Sequence, residues 1–246
     1  MFPQRAGDVL GFEAAGVIEA VGAGADARVG DEVVALLLAQ GGYGELVTAT
    51  AWYPKPAEVT WDAAAALPAA AEAAVGTLRQ SGVGAAQTLV VLGAAGSVGS
   101  IIVQLAHAQG TRVIGVASDR DAALVGELGV EFVAHGARLY DRIDTAVDAV
   151  IDAAGHGGLV DAVAATGDAA RVITLTGGPE VALSGAFMSA PSPDRAPDAL
   201  AITVPLLAGG ALRLKERRNL PLREAAEAHR LLESGETREK IVLTVD

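Results

Sequence analysis

The sequence predicts an α/β fold built on a doubly wound parallel sheet, preceded by a smaller all-β region. Strand-like and helix-like segments alternate between residues 88 and 174 of the 246-residue chain. A glycine-rich turn joins the first buried strand of that stretch to a helix. Alternation of this kind needs right-handed crossovers and gives parallel strands, as in the Rossmann-type fold.

The region before residue 50 predicts short strands that pair as hairpins. Glycine and aspartate separate its apolar segments, as turns between antiparallel strands require. The predicted strands are Ala15–Gly22, Gly30–Leu36 and Glu45–Val47.

The rest of the chain predicts helices and strands in turn. An Ala-rich stretch from Asp62 to Leu78 reads as helix interrupted at Pro68, because proline cannot continue a helix. Strands are predicted at Thr88–Leu92, Arg112–Ala117, Asp148–Ala153 and Arg171–Thr174, with helices from Ser97, Asp121 and Gly158. A helix at Pro221–Ser234, stopped by Gly235, precedes a strand at Ile241–Val245. Spacing alone leaves open whether these last two elements extend the same sheet.

Composition excludes several classes of protein. The chain has 18 basic and 30 acidic residues, a net charge of −12, and so repels nucleic acid. It has no cysteine, which rules out disulfides and thiolate zinc sites. Residues 1–5 are not followed by an apolar signal core, and glycine and serine interrupt the apolar stretch at residues 88–106. We therefore expect a cytoplasmic protein without a membrane span.

The strongest motif is the glycine turn after the strand Thr88–Leu92. Its spacing is Gly-x-x-Gly-x-x-Gly, one residue away from the Gly-x-Gly-x-x-Gly form. Such a turn lets the backbone approach a pyrophosphate at the N-terminus of the next helix. A tight turn without a ligand is the alternative interpretation. The predicted cofactor-binding residues here are Gly93, Ala94, Ala95, Gly96, Ser97, Val98 and Gly99.

The end of the next strand indicates which nicotinamide cofactor is used. Ser118 and Arg120 suit a 2′-phosphate, so NADPH is favoured. Asp119 lies near the position of the acid that holds a free ribose hydroxyl, and Asp121 adds negative charge, so NADH stays the alternative. These charged side chains could also simply solvate a helix start.

Two further strand ends are predicted to line the same crevice, because ligands of open α/β sheets bind at the carboxyl ends of the strands. An apolar pair downstream is a candidate cover for the nicotinamide, or else part of the core. No residue is identified as catalytic. The predicted residues are Ala153, Ala154, Gly155, Thr174, Leu175, Thr176, Phe187 and Met188.

Nine stretches, taken in order, resemble one known family. They are residues 10–17, 29–33, 41–45, 64–68, 93–99, 103–106, 147–152, 226–235 and 240–243. Together they resemble the zinc-independent medium-chain dehydrogenase/reductase superfamily, in its quinone oxidoreductase and enoyl reductase branch. Zinc enzymes of the family carry a histidine where this chain has Phe12. The four histidines, His107, His135, His156 and His229, are scattered, so we expect no metal site.

The resemblance implies a division of the chain and an activity. Residues 1–63 and 214–246 would form a truncated GroES-like catalytic domain, and residues 64–213 the Rossmann domain. NADPH would deliver hydride to a small-molecule substrate, either a quinone or an α,β-unsaturated carbonyl compound. The family also implies a homodimer formed by pairing the sheet edges of two cofactor domains.

Three alternative interpretations compete with this one. Relative to the family the chain begins just before Gly11, without the strands that line the substrate, so a non-reductive cofactor-binding or partner-binding biosynthetic protein, for example a cyclase, is one of them. A short-chain dehydrogenase needs Tyr-x-x-x-Lys, and none of the tyrosines has lysine four residues later. A serine hydrolase needs Gly-x-Ser-x-Gly, which Ser97 lacks.

Overall fold

The glycine-punctuated start of the chain forms a three-stranded antiparallel sheet in the computed structural model, which describes residues 7–38 and 40–245. The strands are β1 (Glu13–Val17), β2 (Glu32–Leu36) and β3 (Ala51–Pro54). The central strand β2 pairs with both neighbours and is buried from Val33 to Leu36. The first two strands are therefore found where the sequence predicts them, although β1 ends five residues early.

The predicted strand at Glu45–Val47 is wrong. These residues are exposed, Leu46 by 74%, and none of them pairs with a strand. The third strand lies further on, where Trp52 pairs with Ala35 and Tyr53 with Val34. The large aromatic side chains find neighbours on β2, and this packing outweighs the weaker apolar pattern at Leu46 and Val47.

The Ala-rich stretch forms two helices, α1 (Trp61–Ala66) and α2 (Pro68–Ser81). Pro68 begins the second helix, because its missing N–H group is one that a first helical turn leaves unbonded. The predicted interruption at Pro68 is confirmed.

Next come the first three strands of a parallel sheet. The elements are β4 (Thr88–Leu92), α3 (Ser97–Ala108), β5 (Arg112–Ala117), α4 (Ala122–Glu127) and β6 (Glu131–Ala134). Strands β4 and β5 and the start of α3 agree with the prediction residue by residue. The helix predicted from Asp121 begins one residue later, after a short 3-10 turn, and the half-buried strand β6 was not predicted.

The same sheet continues on the other side of β4. The elements are β7 (Ala149–Asp152), α5 (Leu159–Thr166), β8 (Val172–Thr174), α6 (Pro179–Ser184) and β9 (Phe187–Met188). The spatial order is β6-β5-β4-β7-β8-β9, and all pairs are parallel. The predicted doubly wound parallel sheet is confirmed.

The last described elements do not join that sheet. They are α7 (Ala199–Ala208), β10 (Arg217–Pro221), α8 (Ala225–Glu233) and β11 (Lys240–Thr244). Strand β11 pairs in parallel with β10, from Arg217 opposite Lys240 to Pro221 opposite Thr244. Of the two possibilities that the spacing leaves open, an extension of the large sheet is therefore ruled out for this strand.

The described chain divides into two compact units. One runs from Ala73 to Pro191 and holds the six-stranded sheet, and the other joins the chain up to Glu72 with the chain from Ser192 onward. The division falls inside α2. The cofactor domain predicted from the sequence, residues 64–213, is longer than the first unit. These domain boundaries stay a prediction.

Two acid–base pairs hold segments of the second unit together. Arg195 and Glu72 form a two-pronged ion pair whose side chains are 2% and 3% exposed. Arg217 donates to Asp62 over 2.7 Å. Partial burial alone would raise the pKa of the Asp62 carboxyl, but hydrogen bonds from Thr60 and Arg217, with the charge of Arg217, lower it overall.

Among the described residues, no helix combines the length and the apolar character that a membrane span requires. The apolar stretch at residues 88–106 is divided between strand β4 and helix α3. Residues 1–5, on which the expectation about a signal peptide rests, lie outside the described part of the chain.

Candidate functional site

The carboxyl edge of the six-stranded sheet contains a topological switch point. The chain proceeds outward from β4 to β5 and β6, and then returns to place β7 on the other side of β4. The loops that follow β4 and β7 therefore diverge in opposite directions. In open α/β sheets this crevice is where ligands bind.

The glycine turn lies at this switch point and is fixed to β5. The backbone N–H groups of Gly93 and Ala94 donate to the carbonyl oxygen of Val116 over 2.9 and 3.0 Å. Gly93 has φ of +82°, a left-handed conformation that favours glycine, and a Cβ atom there would lie 3.1 Å from the Cβ of Ala154. The turn after β4 is thus packed against the loop after β7.

Helix α3 begins at this turn without a side-chain cap. Gly96 is its N-cap residue and offers no side-chain acceptor, so the N–H groups of the first turn stay available for a ligand. The side chains of Ala94 and Ala95 are buried, and those of Ser97 and Val98 are half-buried. The predicted residues of the loop therefore present mainly backbone donors.

Gly99 brings the helix into direct contact with the turn. A Cβ atom at this position would overlap the carbonyl oxygen of Gly93 and lie 2.8 Å from its carbonyl carbon. Because backbone atoms form the contact, a larger residue would have to displace the turn itself. This close approach of helix and strand is the role that the third glycine has in dinucleotide-binding turns.

The loop after β5 carries the charged residues that the cofactor prediction names. The Ser118 hydroxyl donates to the carboxylate of Asp121 over 2.6 Å, and Arg120 is exposed. To donate to a phosphate instead, the Ser118 hydroxyl would have to leave Asp121. Arg120 is exposed on this loop, so its guanidinium is accessible to a ligand.

A buried carboxylate that the sequence interpretation missed organises the loops after β7 and β8. Asp152 is 1% exposed. Its Oδ1 accepts from the N–H groups of Ala154 and Gly155 over 2.9 and 3.0 Å. Its Oδ2 accepts from the hydroxyls of Thr174 and Thr176 over 2.9 and 3.5 Å. The structure thus brings together six of the predicted residues, 153–155 and 174–176, around one acid that was not predicted.

The loop after β7 is also held at its far end. Glu180 on α6 accepts from the N–H groups of Gly158 and Leu159, both over 2.9 Å. Glu180 therefore supplies the cap that Gly158 at the start of α5 lacks. Between the two carboxylates, His156 is the only side chain of the loop larger than a methyl group.

Phe187 and Met188 form the short edge strand β9 and are 49% and 46% exposed. They are thus not part of the core. An added Cβ at Gly177 would lie 3.4 Å from the sulfur of Met188, which places Met188 beside the loop after β8. Among the described contacts, none joins either residue to the glycine turn.

Tyr140 is a buried titratable residue of the unit that holds the six-stranded sheet. Its hydroxyl is buried and has no hydrogen-bond partner among the described residues. Burial, and then the negative charges of Asp152 and Asp161, raise the pKa of this phenol well above its ordinary value. The neutral phenol is therefore the form that the folded chain favours.

All four histidines are exposed. The rings of His135 and His156 lie 6.4 Å apart, and the Tyr43 hydroxyl lies 3.1 Å from Nε2 of His229. Within residues 7–38 and 40–245, no group of three His, Asp or Glu side chains is arranged to hold a metal ion.

The six-stranded sheet and the glycine turn define a Rossmann-type protein, and comparison with known proteins shows which proteins it resembles. Residues 128–243 match the family model described as zinc-binding dehydrogenase. The chain is 32% identical over 188 residues to an NADPH-dependent alkenal/one oxidoreductase, chloroplastic, from Arabidopsis thaliana. It is 31% identical over 183 residues to 2-methylene-furan-3-one reductase from Solanum lycopersicum. Each alignment covers 69% of this chain and 47% of the relative.

The fold agrees with these matches over nearly the whole chain. The structure of the quinone oxidoreductase from Coxiella burnetii superposes with a TM-score of 0.81 at 26% identity, covering 96% of this chain and 79% of that one. The chain has the fold of the medium-chain dehydrogenase/reductase superfamily and is similar to its members in sequence, as its motifs predict. It spans about half the length of the curated relatives that it matches.

Proposed function

We propose that the protein is a zinc-independent, NADPH-dependent reductase that transfers hydride to a quinone or an α,β-unsaturated carbonyl compound. The observation that carries this proposal is the start of helix α3, which has no side-chain cap and lies at the switch point of the sheet. The turn that precedes it has room only for small residues. Main-chain donors and the positive end of a helix dipole suit a pyrophosphate.

The residues of this edge fit the proposed cofactor. The first N–H groups of α3 would bind the pyrophosphate, and Arg120 and Ser118 would meet the 2′-phosphate. The backbone of residues 153–155 and 174–176 would orient the nicotinamide half of NADPH. When bound, NADPH supplies the hydride. The protein orients the cofactor relative to the substrate and provides the environment of the reaction. We assign no side chain as proton donor, because solvent can serve in that role.

NADPH is proposed over NADH on two grounds. Arg120 is exposed and lies at the end of β5, where a guanidinium can bind a phosphate with two parallel hydrogen bonds. The relative from Arabidopsis thaliana is named as NADPH-dependent. Zinc independence is proposed because the chain has no cysteine and carries Phe12 where zinc enzymes of the family have histidine.

Calorimetric titration of the purified protein with NADPH and with NADH tests the cofactor. We expect NADPH to bind more tightly, and Arg120→Ala to remove most of that preference. Arg112→Ala is the matched control, because Arg112 is an exposed arginine at the opposite end of the same strand, paired with Glu131. Failure to bind either cofactor would refute the proposal.

Following NADPH absorbance with quinones and with enones then tests the reaction. We expect consumption that a chelator does not slow. Tight binding without consumption would favour a non-reductive, cyclase-like role for the same site. Inhibition by a chelator that added zinc reverses would contradict zinc independence.

We also propose a homodimer formed along β9. This strand ends the sheet, so its outer edge has no partner strand among the described residues, and its two side chains are large, apolar and about half exposed. Light scattering coupled to size exclusion should give twice the mass of 24.7 kDa. The Met188→Glu variant should have the mass of a monomer. If the unaltered protein is itself a monomer, the proposal is refuted.

A further inference from the structure

We infer that Asp152 is a positioning residue of the proposed cofactor site. It holds two loops in one fixed arrangement and so determines the shape of the site around the nicotinamide. This inference rests on the proposed function. It adds a residue that neither binds the cofactor through its own side chain nor belongs to the glycine turn.

The two carboxylate oxygens of Asp152 serve different loops. Oδ1 accepts two backbone N–H groups of the loop after β7, those of Ala154 and Gly155. Oδ2 accepts the hydroxyl of Thr174, and more distantly that of Thr176, on the loop after β8. The backbone carbonyl of Asp152 also accepts the N–H group of Leu175 over 3.0 Å. A single residue thus fixes both loops.

The loops also pack directly against each other. Gly155 has φ of +68°, and a Cβ atom there would lie 2.7 Å from Cγ2 of Thr176. Thr176 is held in turn by Thr174, whose Oγ1 accepts the Thr176 N–H group over 3.1 Å. Neither loop can therefore shift alone while the carboxylate keeps its bonds.

Burial makes the carboxylate hard to replace. Asp152 is 1% exposed, so water does not take over any bond that is lost. An asparagine has the same shape but one acceptor oxygen. If that oxygen serves the two N–H groups, the amide nitrogen faces the Thr174 hydroxyl, which must then turn its proton elsewhere. If the amide is flipped, two N–H groups face a donor instead. In the first case the Thr174 proton can turn to the carbonyl oxygen of Thr176, 3.2 Å away, and a weaker bond from a neutral amide replaces the bond to the carboxylate. In the second case the loop after β7 loses its restraint.

The effect should be confined to one half of the cofactor. Strands β7 and β8 lie on one side of β4, whereas β5, with Ser118 and Arg120, lies on the other. A displaced loop after β7 or β8 should weaken the binding of whole NADPH, and leave the binding of 2′,5′-ADP, which lacks the nicotinamide half, unchanged. If Asp152 had a purely structural role, its replacement would weaken the binding of NADPH and of 2′,5′-ADP equally, in proportion to the loss of folded protein.

The test compares Asp152→Asn and Thr174→Val with two controls. Thr174→Ser keeps the hydroxyl and should recover most of the NADPH binding that Thr174→Val loses. Asp148→Asn also removes a carboxylate that accepts a backbone N–H group, that of Thr88 over 2.8 Å, but at the opposite end of β7. Calorimetry with NADPH and with 2′,5′-ADP, steady-state kinetics with an enone, and urea unfolding are measured for each.

We expect Asp152→Asn and Thr174→Val to weaken NADPH binding by about tenfold and to lower kcat, since misplacement by a fraction of an ångström suffices for such losses. Binding of 2′,5′-ADP should stay within about twofold. Asp148→Asn should shift the urea midpoint alone. Unchanged NADPH binding in Asp152→Asn, or equal weakening of both ligands, would overturn the inference while the proposed function stands. Absence of NADPH binding by the unaltered protein would overturn the proposed function and the inference with it.

Discussion

Gly99→Ala provides the sharpest test of the glycine turn. The added methyl carbon would overlap the carbonyl oxygen of Gly93 and lie 2.8 Å from its carbonyl carbon. Carbon atoms in favourable contact are about 3.5–4.0 Å apart. Since the obstructing atoms belong to the backbone, the turn and the start of α3 must separate by about 1 Å to admit the methyl group.

This displacement affects both the stability of the protein and the binding of the cofactor. Forcing an extra methyl group into a packed interior costs about 1–3 kcal/mol of unfolding free energy. The shift also moves the N–H groups that would bind the pyrophosphate, and a misplacement of this size costs up to about a hundredfold in function. We therefore expect a loss of stability of about 2 kcal/mol and NADPH binding weakened at least tenfold.

Urea unfolding and calorimetry measure the two effects. Gly126→Ala is the matched control, because Gly126 lies within helix α4 and an added Cβ meets nothing within 4 Å. That substitution should stabilise the protein by about 0.5–1 kcal/mol, as alanine favours a helix. If Gly99→Ala is as stable and binds NADPH as well as the Gly126 variant, the reasoning about the turn is refuted.

Three further predictions concern buried or paired groups. Tyr140→Phe should leave stability unchanged or raise it by about 1 kcal/mol, because it removes an unbonded buried hydroxyl. The raised pKa of Tyr140 gives stability that is present below about pH 10 and lost above it, so this variant should show a shallower alkaline decline in urea titrations. Asp62→Asn should cost about 1 kcal/mol at pH 7. The lowered pKa of Asp62 gives stability present above about pH 4 and lost on acidification, and a variant with an unaltered acid limb would contradict this. Glu72→Gln should cost about 3–5 kcal/mol in thermal unfolding by leaving the charge of Arg195 uncompensated, whereas Glu72→Met with Arg195→Met should recover most of it.

The central strands and the glycine turn could be predicted because their signals are local. Thr88–Leu92 is a continuous apolar run bounded by turn residues, which is how a strand buried on both faces reads. Pro68 marks a helix start by its own covalent structure. In both cases the residues that specify the element are the residues that form it.

Other elements depend on partners that are distant in the sequence. Strand β10 has the sequence Arg-Arg-Asn-Leu-Pro, which favours no strand, and it forms because β11 lies beside it. Helix α7 contains Pro205, a residue that argues against a helix on local grounds. No periodicity in a single sequence indicates such pairings, so both elements were missed.

Asp152 was missed for a related reason. It lies one residue before the end of the predicted strand Asp148–Ala153, and no local motif marks it as a site residue. Its role depends on Thr174 and Thr176, which are 22 and 24 residues away and reach it only once β7 and β8 are adjacent. The sequence could indicate which loops face the crevice, but not which atom ties them together.

The reliance on backbone donors has a consequence for how ligand capture responds to salt. With a net charge of −12, the protein as a whole repels a polyanion approaching through solution, and attraction begins only within reach of the helix end. Dissolved ions weaken the distant repulsion more than they weaken short hydrogen bonds at a partly buried turn. Encounter with a phosphorylated nucleotide should consequently speed up as ionic strength rises, the reverse of what a basic binding groove would give.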